Sequence, residues 1–175
     1  MFNSVKSIAL ATGVSLAALS SAAFADEPVS FSAIDVDSSI SAAQDANAME
    51  YYPQITDDLK AAVAARVLGS DDASDPTIKI DVRKVSLDGA TMLNDGQEFN
   101  ELEGVVDISS PNGSIGALSF PVNIAAYAVD QVVPEGYVAV TPTEGVFYDV
   151  MINGFADEVA EQVGNLNTAG SGVSK

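Results

Sequence analysis

Residues 102–124 read LEGVVDISSPNGSIGALSFPVNI, and this stretch carries the clearest strand pattern in the chain. Even positions are apolar from Leu102 to Ile108 and again from Leu118 to Ile124, apart from one glycine, while odd positions are mostly polar. Such alternation predicts two half-buried antiparallel strands, joined by a turn at Pro111-Asn112-Gly113. We therefore expect a hairpin with one buried face, within residues 98–128.

The loop length determines which residues of this hairpin face each other. A three-residue loop with Gly113 in the left-handed conformation places Gly104 opposite Phe120. A two-residue turn would pair apolar with polar residues, which a single buried face excludes. We expect the Phe120 ring to cover the gap at Gly104, and Pro121, which has no N–H donor, to lie at an edge or a bulge.

Two further strands precede the hairpin. Residues 29–37 alternate with a phase shift between Ala33 and Ile34, and residues 77–87 alternate with a shift near Arg83-Lys84. Each shift predicts a β-bulge, because one extra residue moves the following side chains to the other face. After the hairpin, a short extended piece is expected at Tyr137–Val140.

Helical spacing of apolar residues marks two segments. The first helix is predicted over about residues 53–68, with Pro53 in its first turn and Gly69 as a left-handed stop. The second begins near Thr143-Glu144 and repeats an apolar residue at every fourth position, at Phe147, Met151, Phe155, Val159 and Val163. We expect Phe155 to lie in the core because it is central to this stripe.

The predicted order β-α-β-β-β-α is that of an α+β protein. A helical crossover makes the first two strands parallel if they are neighbours, and the later strands are expected to be antiparallel. The alternation predicts one apolar and one wet face, and two amphipathic helices suit the apolar one. We expect a two-layer α+β sandwich, with a mostly antiparallel sheet and two helices on one face, as a single domain over residues 26–165 with a flexible tail over 166–175.

The first 25 residues have the pattern of a secretory signal peptide. One lysine, Lys6, precedes the stretch of apolar and small residues from Ile8 to Leu19, and Ala23-Phe24-Ala25 provides the small residues of a cleavage site. A membrane anchor is the alternative, but the stretch is short for a span. Cleavage after Ala25 leaves 150 residues that start at Asp26, with a formal charge of −19. We expect a periplasmic or secreted protein without a membrane anchor.

The composition excludes several kinds of chemistry. The chain has 25 acidic and 7 basic residues, and it contains no Cys and no His. Thiolate and imidazole catalysis, disulfides and zinc–thiolate sites are therefore impossible, and so is a lipid-modified cysteine. Strong negative charge makes nucleic acid an unfavourable partner. Oxygen-ligand sites for calcium or magnesium stay open, because carboxylates are abundant.

Two acidic groups are the candidate sites. Asp71, Asp72 and Asp75 suggest calcium, but the loop lacks the spacing of an EF-hand, and a solvated acidic turn explains it. Glu101 and Glu103, after Asn94, Asp95 and Glu98, share one strand face at a spacing that would suit acid–base catalysis. The alternative is a solubilising face paired with Lys79 and Arg83 of a neighbouring strand, and we favour it because exposed carboxylates are common.

Other polar features have simple structural explanations. Lys79, Arg83 and Lys84 offset their acidic neighbours, although they are also able to bind an anion. The glycosylation sequon at Asn112 is explained by turn geometry. Tyr51 and Tyr52 are expected at the edge of the core. No catalytic, cofactor-binding or metal-binding residue is assigned.

A loose resemblance accompanies these patterns. Residues 52–67 read YPQITDDLKAAVAARV and precede the alternating strand at Ile78–Val82, and the Phe147–Val163 stripe closes the chain. In the order of its elements the chain resembles small exported Gram-negative proteins of unknown function, and its layout is similar to the α/β domains of periplasmic lipoproteins that assist envelope transport or assembly. The resemblance implies a free accessory protein, since the lipid-bearing cysteine is missing.

The leading hypothesis is a soluble periplasmic, non-catalytic binding or accessory protein of the cell envelope. Its partner would be an envelope protein or a small ligand, with no cofactor. The alternatives are a small carboxylate-dependent hydrolase, which needs two acids in a concave pocket, and a calcium-dependent binding module.

Overall fold

The computed structural model describes residues 28–40, 46–94, 98–111, 113, 115–126, 135–140 and 147–170, with side chains as far as Leu166. In chain order the elements are β1 (Ser30–Phe31), β2 (Ala33–Ser38), α1 (Ala48–Tyr51), α2 (Ile55–Ala64), β3 (Leu68–Gly69), β4 (Thr77–Ser86), β5 (Glu101–Ser109), β6 (Leu118–Ala126), β7 (Val138–Val140) and α3 (Phe147–Gly170). The predicted signal peptide lies outside the described residues.

The main sheet has the strand order β2-β4-β5-β6-β7. β4, β5 and β6 are antiparallel to one another, while β2 pairs with β4 and β7 with β6 in parallel. The parallel pairing across the first helix is as predicted, because a crossover returns the chain in the same direction. The expectation that all later strands are antiparallel is wrong for β7.

Two helices cover one face of this sheet. α2 and α3 contact each other, and they pack on β2 and β6. Their fully buried residues include Leu59 and Val63 of α2 and Phe155 of α3, which belong to the same core cluster as the even-numbered residues Ile80 and Leu102 of the sheet. The predicted two-layer α+β sandwich is confirmed, and so is the core position of Phe155.

Both predicted phase shifts lie close to breaks in pairing, the first of them at Ser32 rather than between Ala33 and Ile34. At Ser32 the first strand divides into β1, which pairs with β3, and β2, which pairs with β4. In β4 the register shifts between Val82 and Lys84, so Arg83 is the bulged residue. Each break lets apolar side chains on both of its sides reach the interior.

The first helix is shorter than predicted. α2 ends at Ala64, and the N–H groups of Arg66 and Val67 both bond to the carbonyl of Val63, which closes the last turn. Gly69 is not a left-handed stop; it lies in β3 and pairs with Phe31. Leu68, which was expected to extend the helix, thus pairs with β1 as part of β3. α3 begins at Phe147 and continues to Gly170, beyond the predicted domain end.

The hairpin register differs from the prediction by two residues. Gly104 lies opposite Val122, and Phe120 lies opposite Val106. Gly113 has the expected left-handed φ of 68° and donates its N–H to Ser110 at 3.1 Å, but pairing resumes only at Leu118. The longer connection keeps even residues opposite even residues, so the buried face is preserved. Pro121 lies on the part of β6 that β7 does not reach.

Within the described ranges, no helix combines the length and the apolar character that a membrane span requires.

Candidate functional site

The helix-free face of the sheet carries a hydrogen-bonded cluster, called here the Lys84 network, which comprises Lys84, Ser86, Glu101, Glu103 and Tyr137. The bulge in β4 creates it. Before the bulge the even residues of β4 are buried towards the helices, whereas after it Val85 takes that position and its two neighbours turn to the open face. Lys84 then lies opposite Glu103, and Ser86 lies opposite Glu101.

Short contacts join the members of the Lys84 network. Lys84 Nζ lies 2.8 Å from Glu103 Oε1 and 3.2 Å from Glu101 Oε2. Ser86 Oγ donates to Glu101 Oε2 at 2.6 Å. The hydroxyl of Tyr137, the residue before β7, donates to Glu103 Oε1. The network therefore links β4 and β5 to the chain entering β7.

Burial raises the energetic cost of losing these contacts. Ser86 is fully buried and Glu101 is 7 % exposed, so an unpaired charge at this point would be costly. Partial burial opposes the charge of Lys84, but the hydrogen bonds and charges of Glu103 and Glu101 outweigh it and raise the pKa of Lys84. Burial, followed by the hydrogen bond to Glu103, raises the pKa of Tyr137 to about 12. At neutral pH the network holds a protonated amine and a protonated phenol against its carboxylates.

The carboxylate pair singled out in the sequence is thus brought together, with a different cation from the one expected. The predicted pairing with Lys79 and Arg83 is wrong. Lys79 lies beside Asp107, and Arg83 Nε binds Asp81 Oδ2 at 3.2 Å. The bulge turns Lys84 rather than Arg83 towards the glutamates, and the register places Lys79 opposite Asp107, away from them.

Ser86 and Tyr137 were not singled out in the sequence, and Lys84 was named there only as a residue that offsets acidic neighbours. The positions of Ser86 and Lys84 could have been found, because the bulge was predicted and its consequence is that both residues turn to the face of Glu101 and Glu103. Tyr137 could not have been found, since its approach depends on the parallel pairing of β7, which local sequence does not encode.

The rest of the open face carries a regular array of charges. The register places Lys79 between Asp35 of β2 and Asp107 of β5, and it places Asp37 beside Asp81. A shallow depression of about 230 Å³ lies among Asp37, Lys79, Asp81 and Asp107. Acidic side chains are therefore in excess on this face near β2.

The acidic side chains of the loop after α2 do not point to a common centre. Asp75 Oδ2 accepts a hydrogen bond from Ser30 Oγ at 2.9 Å, and Asp72 Oδ1 accepts the N–H and the hydroxyl of Ser74 at 2.9 and 2.8 Å. The backbone N–H of Ser74, and then its hydroxyl, lower the pKa of Asp72. Asp71 lines a separate cavity. Among the described residues, no three carboxylates are grouped so that they could hold a metal ion.

The second acidic run is dispersed as well. Asn94 and Glu98 are exposed, away from the buried Glu101, and Asp95 lies outside the described residues. The sequon at Asn112 also lies outside them.

An aromatic cluster lies where α1 and α3 meet. The ring of Tyr52 stacks on Tyr148 and meets Phe99 edge-on, each at a centroid distance of 5.1 Å. The Tyr148 hydroxyl donates to Asp58 Oδ2 at 2.7 Å. Tyr51 and Tyr52 are partly buried against the core, so the expected position at the core edge is confirmed.

Comparisons with known proteins identify no family. No family model matches the chain, and no curated protein matches it. One solved structure, described as the crystal structure of an uncharacterized protein, is 12% identical with a TM-score of 0.35, and the match covers 82% of this chain and 93% of that chain. A similarity at this level carries no argument about function.

Proposed function

We propose that this chain is an exported, periplasmic, non-catalytic binding or accessory protein of the cell envelope, and that the helix-free face of its sheet is the surface that meets a partner. One observation carries the proposal. Within the described residues α2 and α3 pack on one side of the five-stranded sheet, and the other side displays exposed charges on β2, β4 and β5 next to the buried Ser86 and Glu101.

The internal bonding of the Lys84 network supports a non-catalytic role. Lys84 donates to both glutamates, and the Ser86 hydroxyl donates to Glu101 instead of facing solvent. A general acid or base has to exchange its proton with a substrate. These groups are instead occupied by one another, as expected of a network that stabilises the sheet.

The role in the envelope extends the resemblance to exported accessory proteins. It rests on the signal-peptide pattern, on the missing lipid-bearing cysteine and on a formal charge of −18. A free acidic protein of this kind would meet basic or mixed-charge surfaces of envelope proteins.

Site-specific photo-crosslinking in intact cells tests the proposal. A photoreactive residue replaces Asp107 on the open face, and a matched variant carries it at Glu161, which is exposed on α3. We expect a discrete adduct from position 107, none from position 161, and a mature N-terminus at Asp26 by mass spectrometry. Equal or absent crosslinking at both positions, or an uncleaved N-terminus in the membrane fraction, contradicts the proposal.

A further inference from the structure

β2 forms one edge of the main sheet, and a single peptide unit shows what lies on its outer side. The N–H of Ser32 donates to the carbonyl of Pro76, just before β4, at 2.8 Å. The carbonyl of Phe31 belongs to the same peptide unit and accepts the N–H of Ser70, just after β3, at 2.9 Å. The two groups of a trans peptide unit point in opposite directions. β3 therefore approaches this edge from the side opposite to β4.

β3 covers only the beginning of this edge. It pairs with β1 over two residues, and Ser70 makes its last bond to the strand. Along a parallel ladder, alternate residues direct both backbone groups to the same side. The N–H of Ser39, directly after β2, donates to the carbonyl of Val82 in β4 at 3.0 Å. The residues at alternate positions, Ala33, Asp35 and Asp37, therefore direct their backbone groups to β4, and Ile34, Val36 and Ser38 direct theirs outwards. Within the described residues, no strand pairs with β2 on that side.

A cavity opens where β3 ends. It has a volume of about 350 Å³ and lies between Ile34 of β2, Lys60 and Ala64 of α2, and Gly69 and Asp71 after β3. It therefore continues the line of β3 along the outer side of β2. An aliphatic side chain from an added strand would enter it, on the helix side of the sheet.

The charges beside this edge define the partner. Asp35 and Asp37 are exposed on the open face, whereas Ile34 and Val36 are half-buried on the helix side. Lys60 reaches across the edge to Asp35, at 3.9 Å, in an exposed ion pair that a competing cation can replace. A second copy of this acidic chain would bring like charges together, so the edge favours a basic partner over self-association.

We propose that the edge of β2 binds, as an added strand, an extended segment of a partner protein in which Lys or Arg alternates with Val, Ile or Leu. Backbone hydrogen bonds to residues 34, 36 and 38 would supply affinity, and the alternating side chains would supply specificity. This inference deepens the proposed function and rests on it, because the edge borders the open face.

Fluorescence anisotropy with a labelled Lys-Val-Lys-Ile-Lys-Val peptide tests the inference. We expect this peptide to bind, and Glu-Val-Glu-Ile-Glu-Val not to bind. The double variant Asp35→Asn/Asp37→Asn should weaken binding about tenfold, on the scale of two lost charge contacts. Lys60→Gln should strengthen binding, because it frees Asp35. Equal binding of the basic and the acidic peptide, or binding that these substitutions do not change, overturns the inference.

Two controls separate strand addition from charge attraction alone. The same basic peptide with N-methylated backbone amides keeps its charges but cannot pair, and we expect it not to bind. Hydrogen exchange at the amides of Ile34, Val36 and Ser38 should slow when the unmodified peptide binds. Equal binding of the methylated peptide, or unchanged exchange, overturns the inference. If the peptide fails while crosslinking from position 107 persists, only the edge-strand inference is lost; if both fail, the proposed function is lost as well.

Discussion

The ring of Phe155 occupies the space that a side chain at position 104 would need. A Cβ added to Gly104 would lie 2.9 Å from Phe155 Cζ, 3.0 Å from Phe155 Cε2 and 3.1 Å from the carbonyl oxygen of Asp81. The ring is fully buried, and backbone closes the opposite side. Glycine in β5 therefore lets α3 approach the centre of the sheet.

Gly104→Ala should lower the free energy of unfolding by about 1–3 kcal/mol, because an overpacked core forces side chains and backbone to shift. Gly116→Ala is the matched control, since nothing lies within 4 Å of the added Cβ there. Urea denaturation measures both. Phe155→Ala alone should cost about 3–5 kcal/mol. In a double-mutant cycle the two effects should be less than additive, whereas strict additivity would show that the ring and the glycine are not coupled.

The same contact shows how far sequence reasoning could proceed. Alternation placed Gly104 on the buried face and the every-fourth-residue stripe placed Phe155 in the core, and both are confirmed. The identity of the covering ring was wrong: Phe120 was expected, and Phe155 covers the gap. Periodicity reports which face a residue occupies, but the partner across a layer depends on how a helix lies on the sheet.

In the candidate site, too, the sequence predicted which face the residues occupy but not which residues contact each other. Glu101 and Glu103 were correctly placed on one strand face, and the bulge near Arg83 was correctly located. Lys84 was expected only to offset acidic neighbours, and its position opposite Glu103 was not predicted, because the bulge changes the facing of every later residue in β4. The contact with Tyr137 arises from parallel pairing between distant segments, which local pattern cannot specify.

Lys84→Met should destabilise the fold by about 1–3 kcal/mol, because it leaves the largely buried Glu101 and the partly buried Glu103 without their cation. Lys79→Met removes an exposed lysine from the same strand and should change stability by less than about 0.5 kcal/mol. Urea denaturation at neutral pH compares them. Adding Glu101→Gln to Lys84→Met should recover part of the loss; a further loss would mean that the charge of Glu101 is not the cause.

Calcium should leave the melting temperature unchanged relative to the same concentration of magnesium. The carboxylates of Asp72 and Asp75 already accept hydrogen bonds from Ser74 and Ser30 and point to different partners. Any divalent cation screens the negative charge of the chain and stabilises it to a similar extent. Calorimetry in millimolar calcium and then in magnesium makes the comparison. A shift specific to calcium would favour a calcium-dependent module, since a ligand bound only to the native state raises its stability.

Arg66→Lys should destabilise the contact between α2 and α3. Arg66 Nε binds Asp157 at 2.6 Å, Nη2 binds Asn153 at 2.8 Å, and Nη1 returns to the carbonyl of Ala62 at 2.9 Å. A lysine keeps the charge but cannot direct three donors from one planar group. We expect a loss of about 1 kcal/mol by urea denaturation. Asp157→Asn removes only the exposed charge and should cost less; an equal cost would assign the effect to the ion pair.

Alkaline pH should unfold the protein in a way that depends on Tyr137. Its pKa is raised from 10.0 to about 12, chiefly by burial and then by the hydrogen bond to Glu103. The folded state thus holds this proton more tightly than the unfolded chain does. The resulting stability is fully present below pH 10 and is lost as the pH rises towards 12. The pKa of Lys84 is raised too, so its contribution is lost over a higher range.

Tyr137→Phe should therefore lower stability at pH 8, because it removes the hydrogen bond to Glu103, and it should reduce the decline between pH 10 and pH 12. Tyr51→Phe, which removes a phenol outside the Lys84 network, is the control and should leave the decline as it is. Urea midpoints measured across this range give both slopes. The Tyr148 phenol, whose pKa burial and Asp58 raise, keeps part of the decline in either variant. Identical slopes in Tyr137→Phe and the parent chain would show that the Tyr137 proton is not coupled to folding.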